Sequence, residues 1–329
     1  MTSLHGDGQR RRVGVILGLV LAGVALMLVG LCVGSSGNVG PGEALARLFA
    51  GEEILAHLRA PRVGLAAIVG ASLATAGVGM QAILRNPLAE PYVLGVSGGA
   101  SLGAVASLAL WPGLAPGPAA AAGAAATIAA VRAYARGAAD PLRLLLAGVA
   151  FGSALAALTG IILVLAPPDR LLRAATFWLF GGFGTPPPAR LLAPALLLAA
   201  AFAWLWRNAQ RLDRLALGDE VAAALGVSVS AVRGGALLAV VVLTASAVAV
   251  GGLVGFVGLM APHAARRLVG AGHRRLLPVA ALLGALLVLA GDIVARRAFA
   301  PRELPVGLLT ALVGGPFFLS LLHRARRWT

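Results

Sequence analysis

The sequence contains no lysine: all 27 basic side chains are arginine. A phosphate-cradling GxxxxGK[ST] loop needs its lysine, so a nucleotide site of that kind is excluded. Schiff-base chemistry on a lysine amine is excluded with it. Cysteine is nearly absent as well. With Cys32 alone there is no disulfide within the chain and no cysteine metal cluster. Cys32 lies in an apolar run and reads as a small buried hydrophobe. Charge is scarce: 12% of the residues are Asp, Glu, Lys or Arg, where a soluble domain carries about 25%.

What fills the chain is apolar, 59% of its 329 residues. Runs near the ~20 residues that cross a bilayer recur along its whole length. The reading is an all-α, polytopic membrane protein with one transmembrane domain over 1–329. Ten spans are expected, near 13–33, 63–84, 93–111, 118–135, 143–166, 190–206, 233–254, 255–269, 276–295 and 305–323. The eighth is short and begins in GGLVGFVGLM. The first follows Arg10, Arg11 and Arg12, and it exceeds the ~7–15 residues of a signal-peptide core. No clear A-x-A site follows it, so it is read as a retained span.

The formal net charge of +15 invites a nucleic-acid reading. Arginine placement argues otherwise. With both termini in the cytoplasm, 18 of the 27 arginines fall on the cytoplasmic side, the bias expected for a positive-inside topology. The charge then reports orientation, and no nucleic-acid partner is expected.

Three connections are long enough to act. Residues 34–60, outside, look partly helical. Residues 167–189, also outside, hold a helix candidate at 170–181 too short to span. Residues 207–232, inside, read as short helix, glycine, short helix. Asp219 and Glu220 sit at a helix start, where the helix dipole favours acids. The spans are rich in small residues, as in GASLATAG (70–77) and GVSGGASLGAVAS (95–107). In lipid such faces let helices approach closely.

Several blocks make the chain resemble the FecCD-type permease subunits of iron-chelate and vitamin B12 ABC importers. They are LRAPR (58–62), LRNPLAEPYVLGVSGGASLGA (84–104), LRLLLAGVAFG (142–152), FWLFGGFG (177–184), LALGDEVAAALGV (215–227), GFVGLMAPHAARRLVG (255–270), HRRLLP (273–278), GDIVARRAF (291–299) and ELPVGLLTALVGGPFF (303–318). The resemblance runs in order from about residue 58 to the C-terminus. It implies a ten-helix importer permease fold and a homodimer with its path on the dimer axis. It also implies two ABC ATPase subunits below, which hold ATP and Mg, and a periplasmic or lipoprotein substrate-binding protein above. This chain would carry no cofactor, catalytic residue or metal of its own.

The resemblance also distributes roles. Leu217, Gly218, Asp219, Glu220, Leu225 and Gly226 match the coupling helices that seat in the ATPase. Arg59, Arg62 and Arg296 match positions that meet acidic residues of the binding protein, a task suited to the forked guanidinium. An alternative for Arg296 is a pair within one helix, since Asp292 lies four residues before it. Two cytoplasmic turns are gate candidates, through Asn86 and Leu88 in NPLAEP and through Pro141 and Leu142 in ADPLR. Pro141 and Leu142 stand where the family carries small hydroxyl residues. The span at 144–166 and the helix at 170–181 are expected to line the path.

Two other classes match parts of the sequence. GVSG (95–98) with His263 matches the short motif of an intramembrane serine protease, whose serine must lie beside its base. Asp292 inside a span could mark an ion-coupled carrier. The spaced blocks favour the importer, with iron–siderophore as cargo and haem or cobalamin as alternatives. The setting implied is the inner membrane.

Overall fold

The computed structural model describes residues 3–34, 37–111, 113–134, 141–166, 168–184 and 186–325. Fourteen α-helices account for most of them. In chain order they are α1 (Ser3–Cys32), α2 (Pro41–Phe49), α3 (Ala60–Leu84), α4 (Val96–Leu110), α5 (Pro116–Tyr134), α6 (Pro141–Leu165), α7 (Pro168–Leu179), α8 (Leu192–Arg207), α9 (Ala209–Leu215), α10 (Asp219–Ala224), α11 (Val229–Gly251), α12 (Val257–Val269), α13 (His273–Arg297) and α14 (Val306–Ala325). A six-residue π-helical stretch, Ile54–Arg59, leads into α3.

Every expected span is occupied by a helix, and seven are long and apolar enough to cross a membrane on those grounds alone. The other three are α4, α5 and α12. Helices α4 and α12 have 15 and 13 residues, about 22 and 20 Å at 1.5 Å per residue. Helix α5 has 19 residues but is alanine-rich and carries Arg132. The expected short helices are present too: α7, with 12 residues, and the α9–α10 pair.

Helix α3 is the centre of the bundle. Of the most apolar window of Ile54–Leu84, 78% is buried within the chain, against 11% for α1 and 11% for α6. An apolar helix left open on most of its surface must face lipid or another subunit. The apolar core divides along α3 into two clusters. One gathers Leu31, Val69, Phe183, Val288 and Val306. The other gathers Met80, Leu205, Leu212, Leu243 and Leu276.

Small residues set the helix spacing. A Cβ built on Gly70 of α3 would lie 2.1 Å from the Gly284 carbonyl oxygen of α13, and one on Gly284 would lie 2.3 Å from the Gly70 oxygen. Gly99 of α4 and Gly123 of α5 face each other the same way. In both pairs carbonyl backbone lies within 2.5 Å of the added Cβ, so room could come only from a shift of the helices. Gly160 of α6, by contrast, has nothing within 4 Å of such a Cβ.

Gly70→Ala is therefore expected to destabilise the chain by about 1–3 kcal/mol or more, the range for overpacked interiors. Gly160→Ala should leave stability unchanged. Melting in detergent compares the two, and equal melting temperatures would refute close approach at Gly70.

Candidate functional site at the two ends of the bundle

At one end the chain leaves α8, runs through α9 and α10, and enters α11. Two glycines make the breaks. Gly218 has φ 115° and Gly226 φ 77°, a region that side chains with a Cβ avoid. Asp219 and Glu220 occupy the first turn of α10, as the dipole argument expects. Asp219 is engaged within the chain. Its Oδ1 lies 2.6 Å from Arg233 Nη2 at the start of α11 and 3.9 Å from Arg85 Nη1 in the α3–α4 turn.

Ala222 and Val227 anchor this segment in the core. The opposite face is open. Leu217, Val221 and Leu225 are 64%, 46% and 49% exposed, while Glu220 and Gly226 beside them are exposed too. The three apolar side chains recur every fourth residue. An exposed apolar stripe with a polar rim marks a protein contact. Val221 was missed in the sequence reading, although the spacing of four between Leu217, Val221 and Leu225 was a legible signal.

Further contacts fasten the segment to α13. Asp213 Oδ1 accepts a hydrogen bond from the His273 backbone N–H at 2.9 Å, and the His273 ring Nδ1 lies 2.6 Å from the same oxygen. Trp206 Nε1 donates to the Arg274 carbonyl, and the Arg274 guanidinium sits 5.0 Å over the Trp206 ring. Partial burial works to raise the Asp213 carboxyl, but the hydrogen bonds and charge of His273 outweigh it and hold the group below the usual carboxylate range. A depressed carboxylate stabilises the fold above its unfolded value, near pH 4, and that stability is lost as pH falls through the folded value. Asp213→Asn should therefore melt lower than the wild type at neutral pH, with the difference shrinking below about pH 4. A gap that persists undiminished in acid would contradict the assignment.

The α3–α4 turn lies against this segment. Arg85 closes α3 in the left-handed region, φ 50°. Asn86 Oδ1 accepts from the Leu88 N–H at 2.9 Å, which folds Asn-Pro-Leu into a tight side-chain turn. Glu90, before Pro91, is extended at φ −119° and ψ 145°, as a residue preceding proline should be. Its carboxylate accepts from the Phe256 N–H at the start of α12. Asn86 is exposed and Leu88 half-buried. Of the second expected gate, Pro141 and Leu142 begin α6, but their side chains, and residues 135–140 before them, lie outside the described residues.

The other end of the bundle holds the three arginines matched to docking. All are buried: Arg59, Arg62 and Arg296 are 9%, 6% and 3% exposed. Asp292 of α13, 1% exposed, lies between two of them. Arg62 Nε donates to its Oδ1 at 3.0 Å, and Arg296 Nε lies 3.0 Å from its Oδ2. So the pair foreseen within α13 exists, extended by an arginine from α3. Arg62 Nη1 also donates to Glu303 Oε2 at 2.6 Å. Arg296 Nη1 donates to the Gly30 and Val33 carbonyls at 3.1 and 2.8 Å. Arg59 donates to three carbonyls, those of Leu31, Cys32 and Gly37, at 3.0, 3.2 and 2.9 Å. Among the described residues, two of the three guanidiniums, those of Arg62 and Arg296, share the carboxylates of Asp292 and Glu303, while Arg59 is held by carbonyls.

The protease geometry is not formed among the described residues. Ser97 sits on α4, whose neighbouring Gly98 packs on the Gly152 backbone of α6. His263 packs edge-on to Phe317 with ring centroids 5.7 Å apart. No hydrogen bond joins Ser97 to His263. Asp292 carries two arginine partners, which leaves a proton-carrier role without support.

Comparison with known proteins decides the family. The model of the FecCD transport family matches residues 19–324. The chain belongs to the FecCD transport family. It is 40% identical over 325 residues to the hemin transport system permease protein HmuU of Yersinia pestis, covering 94% of this chain and 96% of that protein. It is 40% identical over 287 residues to the Fe(3+) dicitrate transport system permease protein FecD of Escherichia coli (strain K12), covering 83% and 86%. It is 39% identical over 332 residues to the vitamin B12 import system permease protein BtuC of Salmonella typhi, covering 99% and 100%. A solved structure described as an inward-facing metal-chelate type ABC transporter superposes with a TM-score of 0.83 at 31% identity, covering 95% of this chain and 99% of that one. This FecCD chain is thus a multi-pass membrane protein with an ABC importer permease fold.

Removing one member of a buried ion pair strands the other, at about 3–5 kcal/mol. Asp292→Ala should lose that much stability in denaturant titrations in detergent. Retained wild-type stability would show that the cluster is dispensable.

Proposed function

We propose that the chain is the permease of an ATP-driven, binding-protein-dependent importer that moves a metal chelate inward across the inner membrane by alternating access. The observation that carries this reading is the family match over residues 19–324, which takes in nearly the whole bundle. Iron–siderophore is the proposed cargo; haem or cobalamin is the alternative within the same architecture. Relatives named for ferric dicitrate and hemin support a chelate. Both termini are cytoplasmic in this reading, the orientation supported by the arginine bias.

The α9–α10 segment is the proposed seat of the ATPase. Its open face of Leu217, Val221 and Leu225 supports this, as do its ties to α3, α11 and α13. A push on it would be passed directly into those three helices. Glu220 and Gly226 border the same face, and Asp219 with Gly218 sets its angle. The turn at Asn86 and Leu88, joined to Asp219 through Arg85, is the proposed inner gate. Two such chains around one axis, two ATPase subunits holding ATP and Mg, and a substrate-binding protein complete the assembly. The open apolar face of α6 supports its place on the axis.

Docking is proposed at Arg59, Arg62 and Arg296. The surplus guanidinium supports this. Among the described residues Arg59 is satisfied only by neutral carbonyls, and a carboxylate is the stronger partner for an arginine. Acidic side chains of the binding protein would take the place of the Gly37 carbonyl at Arg59 and of Glu303 at Arg62. Asp292 would keep its own pairs.

Two experiments test the reading. Proteoliposomes holding the chain with its ATPase and binding protein should take up the chelate only with ATP, and Val221→Asp should abolish uptake. Uptake without ATP, or unimpaired by Val221→Asp, would contradict it. Arg59→Gln keeps a donor for the carbonyls but removes the charge. It should weaken capture of the binding protein about tenfold, some 1.4 kcal/mol. Unchanged capture would remove Arg59 from docking.

A further inference from the structure

A cavity of about 790 Å³ lies between α5, α8 and α11 near the end of the bundle that holds the arginine cluster. Its size is within the roughly 300–1,000 Å³ of small-ligand sites. At its back α5 and α11 touch, for a Cβ on Gly117 would lie 2.0 Å from the Ala249 carbonyl oxygen. Its open rim is lined by Ala125 of α5 and by Ala193 and Leu197 of α8, all exposed. Its walls are almost wholly apolar, with Ser246 and Arg190 as the polar exceptions. The site belongs neither to the coupling face nor to the buried arginine cluster.

We infer that this groove binds a phospholipid of the surrounding bilayer, one acyl chain in the groove and its phosphate on Arg190. Three observations lead there. First, the span Pro188–Arg207, which contains α8, and the span of α11 are both long and apolar enough to cross the membrane, which puts a groove between them at the depth of hydrocarbon. Apolar cavities do not hold water, and the medium at that depth is acyl chain. Second, Arg190 stands just before α8, exposed, at the outer end of the apolar span Pro188–Arg207. No described carboxylate lies within ion-pair distance of it. A guanidinium fork matches a phosphate in geometry and charge. Third, Trp178, largely buried, forms part of the wall, and its broad apolar ring gives an acyl chain a large surface to pack on. A bound lipid would wedge the outer halves of α8 and α11. Those two helices are joined at their other ends through α9 and α10, so the lipid would sit on the elements that answer the ATPase.

The test is native mass spectrometry of the full chain in detergent, titrated with dioleoyl phosphatidylglycerol. One saturable lipid adduct per chain is expected. Ala193→Trp fills the groove from its open rim and should abolish that adduct. Arg190→Gln should weaken it about tenfold. Melting temperature is measured alongside; should Ala193→Trp melt early, Ala125→Trp fills the same groove from the α5 side. A wild-type chain that takes up no saturable lipid would overturn the proposal. So would an adduct that survives both tryptophan substitutions and Arg190→Gln. So would an efficient disulfide between two Ala193→Cys chains in native membranes, which would put a second copy on this face.

Discussion

Burying arginine beside a lipid bilayer is the constraint on which much of this structure depends. A guanidinium stripped of water is unstable unless carboxylates or carbonyls surround it. Arg62 and Arg296 meet that demand by enclosing Asp292 from two helices, α3 and α13. Arg296 and Arg59 then reach the carbonyls at the end of α1 and the segment after it, and Arg62 reaches Glu303 before α14. One polar cluster thereby fixes four parts of the chain that are far apart in sequence. Among the described residues it holds three guanidiniums and two carboxylates, which is the basis for proposing an acidic partner.

The same helices carry the other end. Helix α13 has 25 residues, about 37 Å of rod. It begins at His273, held by Asp213 of α9, and closes at Arg296 in the arginine cluster. Helix α3 likewise carries Arg62 in its first turn and is closed at its other end by Arg85, beside Asp219. The two rods are locked together midway where Gly70 meets Gly284 backbone to backbone. Close packing of this kind shifts as a unit instead of deforming locally. That is the physical basis for proposing that a force at α9–α10 and a partner on the arginines act on one body.

Much of this was legible in the sequence. The spans came from apolar length, the breaks on either side of α10 from Gly218 and Gly226, and the turn geometry from Pro87 and Pro91. The Asp292–Arg296 pair followed from a spacing of four. What escaped was set by tertiary packing. Nothing local reveals that Arg62 would reach Asp292, 230 residues away, or that three arginines read as facing out would lie buried. Short helices were hard for a related reason. Helix α12 enters through Gly252 and Phe256, both with positive φ, so its 13 residues follow a non-helical entry that apolar length cannot show. The stripe of Leu217, Val221 and Leu225 was visible, but its meaning depends on Ala222 and Val227 pointing the other way.

The most direct test is an experimental structure of the full transporter with its binding protein docked. The account predicts a carboxylate of that protein within about 4 Å of the Arg59 guanidinium, the usual ion-pair limit. It also predicts that Asp292 stays between Arg62 and Arg296. A docked complex in which Arg59 keeps its three carbonyls and no partner carboxylate approaches the cluster would contradict it.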